Sequence, residues 1–224
     1  MADKTTESFI LKSRMIAMKE LLLTLYNFLT VLLPSLVIFI LLNRKSRKKN
    51  CNMGRWHPLL VFIFTFYVFC VFLVTGAGTI FELLRCNIAV KIGGINFIPF
   101  SGFDTVSYGL NILMLVPLGF LLPFIWPATA KLICTVLYGF SFSVLIEVSQ
   151  LFTTARTTDI DDVLMNTLGA LIGYLLFRLL VKRKGQKKQE SNSHWEPALY
   201  IAAMFVGHFF LFNELWMAGR LYGF

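Results

Sequence analysis

The chain has 224 residues, 57% of them hydrophobic and only 15% charged, with a formal net charge of +9 and a mean hydropathy of +0.70. That balance is too apolar and too sparsely charged for a soluble domain, and it places the chain among membrane proteins. The positive charge does not point to nucleic acid, because no aromatic-interleaved basic motif and no soluble domain accompany the basic runs.

Residues 1–20 form a mixed-charge arm in which Asp3, Glu7 and Glu20 alternate with Lys4, Lys12, Arg14 and Lys19. The apolar run that follows, 21–42, is too long for a signal-peptide core and lacks a small-residue cleavage site, so it is expected to stay as a helix. Five further apolar runs come next, at 59–80, 110–126, 132–152, 163–181 and 197–218. About 20 apolar residues in a helix span a ~30 Å hydrocarbon core, and none of the runs alternates as a barrel strand would. The fold class is therefore an all-α polytopic membrane bundle of about six transmembrane helices. Pro117 and Pro123 are expected to kink the third run, and a re-entrant first segment bent at Pro34 is the alternative to a full span.

Basic residues set the orientation. With six spans, thirteen Lys and Arg fall on one side, among them Arg44, Lys45, Arg47, Lys48, Lys49, Arg55 and the 182–188 run; eight fall on the other. The richer side is expected to be cytoplasmic, where each basic residue near anionic headgroups contributes roughly 1 kcal/mol. The chain then divides into the arm (1–20), a first span with its basic cytoplasmic loop (21–56), a central membrane core (57–181), a basic cytoplasmic linker (182–196) and a C-terminal span (197–224). Cys51, Cys70, Cys86 and Cys134 show neither a disulfide framework nor CxxC metal spacing.

This orientation brings the polar residues of the core to the outer leaflet. Ser143, Glu147 and Gln150 share one face of the fourth span, and Asp162, Asn166, Gly169 and Gly173 share one face of the fifth. Gly169-xxx-Gly173 allows a neighbouring backbone to approach closely. Asn111 stands at the outer end of the third span, and Thr158 or Asp159 is placed to cap the fifth. Asp161 lies off the Asp162–Asn166 face and is expected to be solvated. A carboxylate at Glu147, below the interface, needs a partner or a proton, and Arg156 in the loop above is the natural partner. The segment 95–103, with Asn96, Phe97, Pro99 and Phe100, is too apolar for a free loop and is expected to lie on the interface or to fold back as a lid. His208 reads as a neutral, hydrogen-bonded structural histidine.

Three blocks carry a resemblance to the VanZ-like family of bacterial membrane proteins. They are Asn96-Phe97-Ile98-Pro99-Phe100; Asn111 with Pro117-Leu118-Gly119; and Glu147-x-x-Gln150 followed by Arg156-x-x-Asp159-Ile160-Asp161-Asp162 and Asn166-x-x-Gly169. The blocks lie in the family's order and cover roughly residues 60–180. The resemblance implies a multi-pass protein of the bacterial plasma membrane, associated through the founding members with lowered susceptibility to teicoplanin. It implies no settled biochemical activity.

Two functions from different classes follow. The first is a non-enzymatic envelope protein whose Asn111, Glu147, Gln150, Arg156, Asp159, Asp162 and Asn166 bind a lipid-linked cell-wall precursor or the lipid tail of a lipoglycopeptide antibiotic. The lid at Asn96, Phe97, Pro99 and Phe100 would cover the acyl chains. The second is an intramembrane enzyme in which Glu147, Asp159 and Asp162 hold Mg²⁺ or Mn²⁺ on a lipid-linked substrate, or in which Glu147 is a general base. No zinc-like His/Cys set, activated Ser or P-loop is present, so the binding reading stands first, with membrane lipids as partners and no resident metal or cofactor assigned.

Overall fold

A computed structural model of the chain describes residues 2–48, 54–84, 95–100, 104–151, 153, 157–181 and 193–223. Arg156, Phe103, Cys51, Cys86 and most of the basic linker, on all of which expectations were placed, lie outside the described residues.

The elements, in chain order, are α1 (Ala2–Lys48), α2 (His57–Thr75), α3 (Ile80–Leu83), β1 (Ile95–Asn96), α4 (Thr105–Ile125), a 3-10 turn (Pro127–Thr129), α5 (Leu132–Gln150), β2 (Thr158–Asp159), α6 (Ile160–Leu180), α7 (Glu196–Leu211) and α8 (Glu214–Tyr222). Five helices are long and apolar enough to cross a membrane, and the α7–α8 pair, bent by 49°, makes a sixth if it acts as one span. The mostly helical bundle expected from the apolar runs is thus observed.

The arm is continuous with the first span. Residues 2–20 hold neither Pro nor Gly, and α1 runs unbroken through Pro34, with no re-entrant turn there. Its 47 residues reach about 70 Å at 1.5 Å per residue, more than twice a hydrocarbon core. α2 ends where Gly76 takes a left-handed φ of 63° and its N–H bonds back to Phe72, a conformation that costs a glycine no Cβ clash. α4 continues through Pro117 and Pro123. α7 stops at Phe212 because Asn213 turns its side chain to the backbone, accepting the Trp216 N–H at 3.1 Å and starting α8.

Helix association in lipid depends on close packing and interhelical hydrogen bonds more than on apolar burial. α4 and α6 pack most extensively, and their seam is glycine against backbone. A Cβ at Gly169 would stand 2.1 Å from the Ile112 carbonyl oxygen, and one at Gly173 2.0 Å from that of Val116. Asn166 ties α6 to α5 by donating to Ser143 Oγ at 2.9 Å. At the far end of the bundle Phe64, Trp126 and Tyr200 form a fully buried aromatic group, with ring centroids 5.0 and 5.7 Å apart.

α1 and α7 form a second layer, with Gly207 pressed on the Thr30 carbonyl. His208 is anchored between them: one ring nitrogen lies 3.1 Å from Asn27 Oδ1, the other 2.9 Å from the Ala77 carbonyl oxygen. It is a buried, hydrogen-bonded histidine, as its setting in an apolar run suggests.

Candidate functional site

The C-terminal ends of α2 and α5 and the N-terminal ends of α4 and α6 meet at one end of the bundle. The polar residues expected to act together are found there, apart from Arg156, which lies outside the described residues. A short parallel ladder sets the geometry by pairing Ile95 with Thr158 and Asn96 with Asp159. This pairing folds the 95–100 segment back over the start of α6. Asn96 Nδ2 donates to Asp159 Oδ2 at 3.1 Å, and Asn96 Oδ1 accepts the Ile98 N–H at 3.1 Å, forming an Asx turn.

The carboxylates divide the remaining donors among them. Asp159 caps α6 by accepting the Asp161 N–H at 2.9 Å, while its own N–H donates to Glu147 Oε2 at 3.1 Å. The Thr158 hydroxyl donates to the Glu147 carbonyl at 3.3 Å. Glu147 is only 4% exposed, and the Asp159 N–H supplies its carboxylate with a hydrogen-bond donor. Asn111 donates to Asp162 across α4 and α6. Gln150 faces the other way and donates to the Thr75 carbonyl at 2.9 Å, which ties α5 to the end of α2.

Asp161 corrects the expectation of a solvated residue. It is 1% exposed, and its two oxygens accept the Phe100 N–H at 2.9 and 3.0 Å and the Tyr108 hydroxyl at 2.6 Å. Periodicity along α6 alone misplaced it, because its partners come from another loop and another helix. Tyr108 was not singled out either, although it lies one turn before Asn111 on the same face of α4. Phe100 has a φ of 61°, a left-handed conformation that is uncommon for a bulky residue and costs of order 1–3 kcal/mol. The two bonds to Asp161 hold it there.

The segment so pinned displays its apolar side chains. Phe97 is 74% exposed and Ile98 69%, and the Phe100 ring stands at the edge of Tyr108. The site therefore has a carboxylate-rich, hydrogen-bonded floor and an apolar outer surface on one strap. Asn166 lies a turn deeper, and among the described residues its Oδ1 has no hydrogen-bond partner. Among the described residues no three His, Cys, Asp or Glu are grouped so as to hold a metal ion.

No curated protein and no solved structure matches the chain. The VanZ/LLP1 family model matches residues 29–181, well over half of the chain and all of the polar end built by α2, α4, α5 and α6. The chain belongs to the VanZ/LLP1 family of membrane proteins.

Proposed function

We propose that this is a bacterial plasma-membrane protein that binds a lipid-linked or lipoglycopeptide ligand at the outer leaflet, without catalysing a reaction, and so lowers susceptibility to teicoplanin-class antibiotics. The observation that supports this reading best is the strap at 95–100. It is fastened by the Asn96 side chain to Asp159 and by the Phe100 N–H to Asp161, while Phe97 and Ile98 are exposed. Exposed aromatic and aliphatic side chains beside a polar cluster suit an interface between headgroups and acyl chains. A ligand with a polar head and a hydrocarbon tail suits both surfaces.

Asn111, Asp162, Glu147 and Asp159 would orient the head, and Arg156 in the adjoining loop would meet a phosphate or carboxylate. The test is lipid recovered with the full-length protein from nanodiscs, identified by mass spectrometry. An intact lipid at one per protein, lost in Asp162→Asn with normal folding, is the expected result. Turnover of a lipid-linked substrate that disappears with EDTA would overturn it in favour of metal-assisted chemistry. Full lipid recovery in both Asp162→Asn and Gln150→Ala would reduce these residues to helix caps and braces.

A further inference from the structure

A cavity of about 520 Å³ lies beside the polar end, between α1, the end of α2, α3 and the α7–α8 bend. It is separate from the carboxylate cluster but adjoins it through Thr153, whose N–H bonds to the Gln150 carbonyl. Much of its wall comes from Asn27, His208, Phe212 and Glu214, which fall outside residues 29–181 matched by the family. The site thus lies where the matched core meets segments outside it, each supplying about half of the lining.

The lining has a definite chemistry. His208 is fixed by Asn27 and Ala77, and its ring stacks on those of Phe72 and Phe212, with centroids 5.2 and 5.4 Å away. Phe81 adds another ring, and Glu82 and Glu214 supply two carboxylates, while among the described residues no Lys or Arg lines the cavity. Two nearby cations are turned to other rings: Lys19 lies 4.7 Å from the Tyr222 centroid, and Arg220 5.6 Å from that of Trp216. Aromatic faces beside carboxylates favour an ammonium group. Leu73 and Leu215, both exposed, continue the wall onto the apolar outside of the bundle. That continuity suits the chain of a lipid better than a free amine, and the volume falls within the usual range for small-ligand sites.

We propose that this cavity holds the alkylammonium headgroup of a membrane lipid, set between Glu82, Glu214 and the Phe72–His208–Phe212 stack. Its residues are distinct from those of the proposed outer-leaflet ligand site, so the two readings can fail separately.

The experiment measures thermal unfolding of the full-length protein in detergent, titrated with phosphatidylethanolamine, phosphatidylglycerol or free ethanolamine phosphate. Phosphatidylethanolamine should raise the midpoint in a saturable way, and the other two should not. The double variant Glu82→Gln/Glu214→Gln should need about tenfold more phosphatidylethanolamine for the same shift, the loss expected for a charge-assisted contact. Glu82→Gln keeps an acceptor for the Thr79 N–H, so the α3 capping box survives. If the double variant does not fold, Leu215→Trp, at an exposed lining position, should block the phosphatidylethanolamine response in its place. Equal shifts with both lipids, or an unaltered response in the folded variant tested, would overturn the proposal. An equal shift with ethanolamine phosphate would assign the cavity to a soluble amine and overturn it as a lipid site.

Discussion

Asp161 is the residue on which the strap depends. A buried carboxylate that accepts two backbone–side-chain bonds from one N–H and a third from a tyrosine hydroxyl fixes both the strap and the top of α4. Hydrogen bonds to a charged group contribute about 1.5–3 kcal/mol, enough to hold Phe100 in its strained φ. Asp161→Ala should therefore free the strap: hydrogen exchange at the Phe100 amide should rise at least about tenfold, by the conversion of 1.4 kcal/mol per decade. Asp161→Asn, which keeps one acceptor oxygen, should lie between. Unchanged exchange in Asp161→Ala would show that the ladder at Asn96 and Asp159 holds the strap alone. Glu147→Gln likewise preserves an oxygen for the Asp159 N–H, whereas Glu147→Ala removes it, so the alanine variant should give the lower folded yield in detergent. Equal yields would mean that this bond contributes nothing to the fold. The presence of Glu147, Asp159 and Asp162 at one site was legible from helical spacing together with topology. The role of Asp161 was not, because its partners are a loop N–H and a tyrosine more than fifty residues away.

The α4–α6 seam shows what one pair of elements requires. Gly169 and Gly173 lie one turn apart, and a Cβ at either would meet a carbonyl oxygen at about 2 Å, closer than any real contact. Because the obstacle is backbone, relief requires moving a helix, and overpacking of this kind costs typically ~1–3 kcal/mol or more. Gly173→Leu and Gly169→Leu should sharply reduce the yield of monodisperse protein in detergent, and Gly173→Ala should already lower the thermal midpoint. Leu175→Ala, at an exposed position of α6, should leave both near wild type. Equal behaviour of all these variants would mean that α4 and α6 are not in contact. The small-residue stripe was visible in the sequence as an i, i+4 pair, but its partner was not. Gly119, pressed on Ala170, is the reciprocal half of the contact, hidden inside the Pro-Leu-Gly block of α4. Likewise, the apolar runs gave the helices, whereas the continuity of α1 from residue 2 depended on the absence of breakers in a polar arm. Hydropathy does not report that.

At the scale of the whole molecule, the bundle has two chemically different ends, and sidedness decides what the site can meet. The strap, the carboxylates and the ammonium-suited cavity gather where α2 ends and α6 begins. Trp56 and Trp195, both exposed, stand at the opposite end, where the basic 44–55 and 182–188 stretches attach. With the thirteen-residue side placed in the cytoplasm, as the basic-residue rule proposes, the carboxylate end lies outside. The acids of the arm do not alter this assignment, since acidic residues contribute little to the rule. With Cys51, Cys70, Cys86 and Cys134 replaced by Ser, single cysteines at Ile98→Cys, Trp56→Cys and Trp195→Cys report the two ends. Ile98→Cys should react with a membrane-impermeant maleimide in intact cells, and the other two should react only after permeabilisation. Labelling of Trp56→Cys and Trp195→Cys but not Ile98→Cys in intact cells would invert the bundle. The carboxylate end would then face the cytoplasm, and a ligand delivered from outside the cell would have no route to it.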